Sequence, residues 1–378
     1  MITQKPPLSL YIHLPWCVRK CPYCDFNSHV SRVAIPQKRY IQRLLDDFET
    51  QLPKIRDREI QSIFFGGGTP SLFEADYLKQ LFTGLFERHP FKKDCEITLE
   101  ANPGTMEQGR FSAYREIGIN RLSLGVQSFQ DEKLQLLGRI HNSKQAQTAI
   151  AQAKESGFDN FNIDIMHGLP GQSVKDACED LNTTIALNPT HISWYQLTFE
   201  PNTPFYYKKP LLPDEEILAD IEQEGFKLLQ KYDYRRYEVS AFSKPEKQCQ
   251  HNVNYWTFGD YIGIGAGAHS KITQSEYIHR HWQEEYPHKY LNSQNEMTVR
   301  EKVIPKDEIA FEFMLNHLRL HCPVYYAIFE SRTGLAKKEI YKNLTHLSEK
   351  KLVSLYDDKF ETTNLGKQFL DDVVKSFL

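Results

Sequence analysis

Short runs rich in β-branched and apolar residues recur along the chain: Leu8–Leu14, Ile60–Phe65, Glu96–Ala101, Arg121–Val126, Phe161–Met166 and His191–Thr198. Between them the apolar positions change period. In Arg39–Leu52, residues Tyr40, Leu44, Leu45, Phe48 and Leu52 fall on one helical face, and Ala75–Arg88, Ser143–Ser156, Val174–Leu187 and Glu215–Lys231 repeat that spacing. Strand and helix alternating in this way predict an α/β fold of βα units around a parallel sheet. Each of the first five strands runs directly into an unusual segment. These are a cysteine loop, Gly66-Gly67-Gly68-Thr69-Pro70, Glu100-Ala101-Asn102-Pro103, Gln127-Ser128 and His167-Gly168-Leu169-Pro170-Gly171. Any one βα loop needs glycine and proline, but such ends in succession are what an α/β barrel presents when its loops build one site.

From Pro305 the pattern becomes helical: Asp307–Arg319, Pro323–Arg332 and Lys337–Glu349. Leu352–Thr363 then reads as two short strands about an Asp357-Asp358 turn, with Asn364 opening a cap and Lys367–Phe377 a last helix. The expected organisation is a barrel core over 1–240, an extension over 241–304 and a winged-helix-like module over 305–378. Clustered basic content in the module is thin (Lys337-Lys338 and the His317–His321 stretch), which argues for packing or a protein partner and against nucleic acid.

Composition narrows the class further. The 378 residues hold 46 Lys plus Arg against 49 Asp plus Glu, a net charge of -3, so neither a phosphate-tracking nor a polybasic membrane-binding protein is indicated. Met1–Pro7 leads straight into the first strand without the apolar run of a signal peptide, and no transmembrane-length apolar stretch follows. A cytoplasmic protein is expected, and there clustered cysteines signal metal or redox chemistry more than disulfides. Cys95, Cys178, Cys249 and Cys322 are scattered and read as ordinary thiols.

Cys17, Cys21 and Cys24 are different: their spacing puts three thiolates on one tight loop. Zinc would need a fourth ligand, which His13 or His29 could supply. A cubane iron-sulfur cluster held by three thiolates would instead leave one iron open to a ligand from outside the chain.

The C-x3-C-x2-C pattern, with Tyr23 before its last cysteine, resembles the motif of the radical S-adenosylmethionine superfamily. That resemblance implies a partial (β/α)6 barrel, a [4Fe-4S] cluster on Cys17, Cys21 and Cys24, and S-adenosylmethionine chelating the open iron. More of the chain resembles the branch of oxygen-independent coproporphyrinogen III oxidases: Tyr11–Cys17, Phe64–Pro70, Glu100–Pro103, Asn120–Phe129, Leu137–His141 and Asn162–Gly171. By that resemblance Tyr11, Gly67 and Glu100 contact the cluster-bound S-adenosylmethionine. Tyr23, Gly68, Thr69, Gln127, Arg139 and Asp164 contact a second molecule of it or the substrate. Glycines let a ligand approach the backbone, carboxylates accept from hydroxyl or amino groups, and an arginine can clamp a carboxylate. An Arg139–Asp164 loop salt bridge is the plain structural alternative.

The oxidases of the branch carry a further cysteine two positions after the third, where this chain has Phe26, and a longer N-terminal segment. His251-Asn252-Val253-Asn254-Tyr255-Trp256 resembles the H-N-x-x-Y-W signature of HemW-type heme chaperones, which share that phenylalanine. This implies a protein that binds heme as cargo and passes it to heme-accepting apo-proteins such as respiratory enzymes. Membrane association would be at most peripheral, with dimerisation left open. The alternative is the oxidase itself, which converts coproporphyrinogen III to protoporphyrinogen IX with loss of carbon dioxide. His251 is then a candidate axial ligand for heme iron, with Tyr255 and Trp256 against the porphyrin; a packing motif reads equally well from the residues. Gly263, Gly265 and Gly267 form G-x-G-x-G, which lacks the helix and later acid of a dinucleotide fingerprint and is expected to let adenine lie close to backbone. His279-Arg280-His281-Trp282 reads as a heme neighbour or a solvated surface cluster.

Overall fold

The computed structural model describes residues 5–104, 109–275, 277–293 and 298–378. Strands β1 (Leu8–Leu14), β2 (Ile60–Gly67), β3 (Phe91–Ala101), β4 (Arg121–Gln127), β5 (Phe161–His167) and β6 (His191–Gln196) lie side by side in sequence order, all parallel. Adding every strand on the same side is the winding of a βα barrel. Among the described residues the sheet does not close. Beyond β6 it continues antiparallel through β8 (Ala241–Ser243) to β7 (Arg235–Arg236). On the other side of β1 it continues through β9 (Asp260–Ile264), parallel to β1, then antiparallel through β10 (His269–Thr273), β11 (Ile278–Gln283) and β12 (Thr298–Val303). The expected partial barrel is the observed one, an open sheet of twelve strands among the described residues.

Alternation along each strand explains the layering. Leu8, Leu10, Ile12 and Leu14 point to the helical layer, where Tyr40, Leu44 and Phe48 of α1 (Gln37–Ile55) join one core with them. The opposite face carries polar residues that satisfy one another, beginning with Ser9 and Ser62, whose hydroxyls lie 2.7 Å apart. Helix starts are set by local chemistry: Asn142 with Gln145, and Ser173 with Asp176, form reciprocal capping boxes. In α1 the buried Asp47 accepts from Tyr290 Oη at 2.7 Å, Gln283 Nε2 at 2.9 Å and the Gly265 amide at 3.1 Å, tying the first helix to the late strands. Burial pushes its carboxyl up to about 7 against those bonds.

The glycine-rich run serves the chain's own packing. A Cβ on Gly263 would meet His269 O at 2.1 Å, and one on Gly265, where φ is +104°, would meet His13 O at 2.4 Å. At Gly263 and Gly265 the missing side chain therefore lets backbone close on backbone, while a Cβ on Gly267 would meet the Asn27 side chain.

The C-terminal residues form helix (Ile309–His317), strand (Val324–Tyr325), two helices (Tyr326–Thr333, Lys338–Glu349) and two strands (Val353–Leu355, Lys359–Thr362), with the last strand central in a three-stranded sheet. This is a winged-helix arrangement. Its core is shared with the preceding segment: Phe258, Ile278 and Ile304 pack with Phe313, Met314 and Phe329. The last helix expected is two, Asn364–Gln368 and Leu370–Lys375, broken at Phe369. Among the described residues no helix is long and apolar enough to cross a membrane.

Candidate functional site

The carboxyl ends of β1 to β6 open on a cavity of about 620 Å³, within the usual range for a small-molecule site. Cys17, Cys21 and Cys24 line it together with Tyr23, Gly67, Gly68, Thr69, Glu100, Gln127, Arg139 and Asp164. All three cysteines are free thiols. The loop is held from below: the Gly68 amide donates to Leu14 O at 2.9 Å and the Thr69 amide to Trp16 O at 2.8 Å. A Cβ on Gly68 would lie 2.5 Å from Trp16 O, and one on Gly67, where φ is +114°, 2.6 Å from the His13 ring. Both glycines are thus required by the approach of this turn to the cysteine strand.

Donors are aimed at the sulfurs. Thr69 Oγ1 donates to Cys17 Sγ at 3.6 Å and Arg139 Nη1 to Cys21 Sγ at 3.6 Å, while the Ser28 hydroxyl lies 4.0 Å from Cys24 Sγ. Burial pushes the Cys17 and Cys24 thiols up, and the bonds from Thr69 and Ser28 work against it. Hydrogen bonds to sulfur are the usual outer shell of a thiolate-held cluster. The zinc alternative fits less well. His13 Nδ1 lies 3.0 Å from Tyr11 Oη and its Nε2 2.8 Å from Asn27 O, and His29 Nε2 lies 2.9 Å from Asn27 Oδ1. Among the described residues no three His, Cys, Asp or Glu side chains converge on one point as a single ion requires. A cluster of several irons spreads its ligands more widely.

Arg139 is fixed by Gly125 O at 2.7 Å and Asn102 Oδ1 at 2.5 Å, and its Nε is buried without a partner. It does not pair with Asp164, which accepts from Asn162 Nδ2 at 2.7 Å and Ser123 Oγ at 3.1 Å. Burial raises the carboxyls of both Asp164 and Glu100, and Asp164 adds to the effect at Glu100, which reaches about 8. Two carboxyls that resist ionisation make a place where a cationic ligand is rewarded. Gln127 sits at φ +74°, with Tyr195 Oη donating to its Oε1 at 2.7 Å; such strain concentrates at functional sites.

Four of the sequence-derived residues lie elsewhere. Tyr11 stands behind the glycine turn, against His13 and Phe64. His251, Tyr255 and Trp256 belong to a helix, Gln250–Trp256 (α2), that plugs the amino ends of the strands, where Asn254 Nδ2 donates to Ser9 Oγ at 2.9 Å. His251 is 4% exposed, with Nδ1 3.2 Å from Ser62 Oγ and its ring among Tyr11, Phe64 and Tyr255. Burial depresses its pKa to about 3. His281 is fully buried as well, so the solvated-cluster reading of 279–282 fails for it. Sequence reasoning missed Asn102, Ser123 and Tyr195, which hold the named residues in place, and Ser240 and Arg319, which extend the cavity to the C-terminal module. Asn102 and Ser123 stood within motifs named above, Tyr195 within a predicted strand and Arg319 within the His317–His321 stretch, but nothing local marked any of them as part of the site, and Ser240 lies outside every named strand, helix and motif.

Residues 11–183 match the Radical SAM superfamily, and residues 304–369 the HemN C-terminal domain. Heme chaperone HemW of Haemophilus influenzae is 47% identical over 99% of this chain and 98% of its own, and that of Escherichia coli is 46% identical over 100% of both. The chain belongs to the HemW family. HemW of Bacillus subtilis is 32% identical across 98% of this chain and 99% of its own. Coproporphyrinogen III oxidase (HemN) from Escherichia coli, a solved radical SAM enzyme, shares the fold with a TM-score of 0.83 at 24% identity, covering 99% of this chain and 90% of that one. Iron-sulfur and S-adenosylmethionine chemistry follows for a HemW member from the superfamily, and the three donor-supported thiols fit such a cluster.

Proposed function

We propose that this chain is a cytoplasmic heme chaperone, which binds heme and delivers it to heme-accepting apo-proteins, respiratory enzymes among them. The observation that carries this reading is the 47% end-to-end identity to a heme chaperone, against a likeness in fold alone to the oxidase. Phe26 supports it: it lines the cavity mouth, 59% exposed, at the position where the oxidases it resembles carry a cysteine.

Cys17, Cys21 and Cys24 would hold the [4Fe-4S] cluster, which when bound supplies an open iron for S-adenosylmethionine and an electron for its sulfonium. Thr69 and Arg139 steady the thiolates by donating to Cys17 and Cys21. Gly67 and Gly68 hold the turn, and Glu100 and Asp164 offer acceptors to the ligand's amino and hydroxyl groups. Tyr23 and Gln127 wall the same space, while Tyr11 supports it from behind through His13. His251, Tyr255 and Trp256 are proposed as the heme segment. Because His251 is seated on Ser62, an axial bond from its imidazole requires α2 to leave that seat.

The oxidase remains the rival, favoured by the shared fold. Anaerobic reconstitution should give about four irons and four sulfides per chain. The reconstituted protein with a reductant should then leave coproporphyrinogen III unconverted. Sustained release of carbon dioxide from it overturns the chaperone reading in favour of the oxidase.

A further inference from the structure

We propose that Arg319, supplied by the C-terminal module, is a binding residue for a carboxylate of the macrocyclic cargo, at the place where the cavity meets that module. The inference rests on the heme-cargo reading above and names a contact that reading does not contain.

Three observations converge. Arg319 lines the same cavity as the cysteines, as does Ser240, the residue preceding β8. Its guanidinium carbon lies 4.5 Å from the centre of the Trp256 indole, the last residue of the H-N-x-x-Y-W helix. Its Nη2 pairs with Glu238 Oε1 at 3.0 Å, and its Nε is buried without a partner. A guanidinium carbon placed over an indole ring leaves the group's N–H donors for a second partner. Of the five donors an arginine carries, Glu238 takes one, and the buried Nε is without a partner.

Glu238 is itself only 4% exposed and is the resident counterion. A carboxylate arriving at Arg319 therefore shares or competes for a guanidinium already oriented by Trp256. A planar macrocycle with acidic side arms meets this chemistry: its arm takes the arginine edge and its ring can border the indole. The contact also explains why the cavity needs the C-terminal module, since the guanidinium is the module's contribution to the lining. The backbone bridge between Glu238 and Leu320 fixes that module at this edge.

The test compares hemin with hemin dimethyl ester, which lacks the free carboxylates, by titration of the reconstituted protein. Wild type should bind the acid about tenfold or more tighter than the ester, the scale of one charge-assisted pair. Arg319→Gln should bring the ratio to about one, and Glu238→Gln, which removes the competing carboxylate, should raise it. Because Arg319→Gln leaves Glu238 buried and unpaired, the double variant Glu238→Gln/Arg319→Gln is measured as well and should also give a ratio near one. A purely structural role moves both single variants in the same direction. The proposal is overturned if wild type does not distinguish the two porphyrins, or if the double variant keeps the wild-type ratio. It is equally overturned if Arg319→Gln weakens S-adenosylmethionine binding and leaves hemin untouched, which would assign the arginine to that ligand's carboxylate. Binding of neither porphyrin by wild type removes the cargo reading itself, and the proposal with it.

Discussion

The Thr69 hydroxyl donates to the sulfur of Cys17 across 3.6 Å and accepts in turn from Asn102 Nδ2 at 2.9 Å. A side chain from the end of the second strand thereby stabilises a thiolate at the end of the first. Thr69→Ala should lower cluster retention about tenfold, the usual cost of losing an outer-shell bond, and Thr69→Ser should restore most of it. Iron per chain after timed exposure to a chelator reads the effect; equal loss from wild type and Thr69→Ala would show that the bond is idle.

Gly67 combines a positive φ with a closed space against the His13 ring. Gly67→Ala should cost about 1–3 kcal/mol of stability, from backbone strain and overpacking together. Gly109, around which a Cβ would meet nothing within 4 Å, is the control, and Gly109→Ala should leave the denaturant midpoint unchanged. Similar midpoints for the two variants would remove the steric argument.

Glu100 carries a pH signature. Its carboxyl rises from an ordinary 4.5 to about 8, by burial first and the Asp164 charge second. The folded protein therefore holds a proton there that the unfolded chain has lost, so this group's contribution to stability is full below about 4.5 and is lost as pH climbs to about 8. Between pH 5 and pH 8.5, wild type should lose roughly 1–3 kcal/mol more than Glu100→Gln, the cavity-facing position moderating the full linkage value. Parallel denaturant curves for the two proteins at both pH values would contradict the assignment.

The barrel and its cysteine loop were legible in the sequence because both are written at short range. Period changes mark the strands and helices, and the helices Ala75–Arg88 and Glu215–Lys231 stand with the bounds that their periodicity predicts. Short helices without a full apolar face, Phe111–Glu116 and Asp131–Leu136, left no such trace. Contacts made across the fold were hidden for another reason. Asp47 and Tyr290 are 243 residues apart, and nothing local in α1 announces that an aspartate there will be buried. The same holds for Arg319 over Trp256. The H-N-x-x-Y-W stretch was visible as a motif, but its place beneath the strands, on Ser9 and Ser62, depends on the polar inner face of the barrel, which no single strand reveals.

That seat yields a prediction about motion. If His251 ligates heme iron, hemin loading should increase amide hydrogen exchange in residues 250–256 as α2 leaves Ser62, and His251→Ala should shift the heme absorption band. Unaltered exchange and an unaltered band would assign the motif to packing alone.

The most direct measurement of the central claim is heme transfer: anaerobically reconstituted protein is loaded with heme and mixed with an apo form of a respiratory heme enzyme. The acceptor should gain heme and activity from the loaded protein, and gain less from a Cys17/Cys21/Cys24 triple alanine variant. An acceptor that stays empty beside the loaded, cluster-containing protein would contradict it.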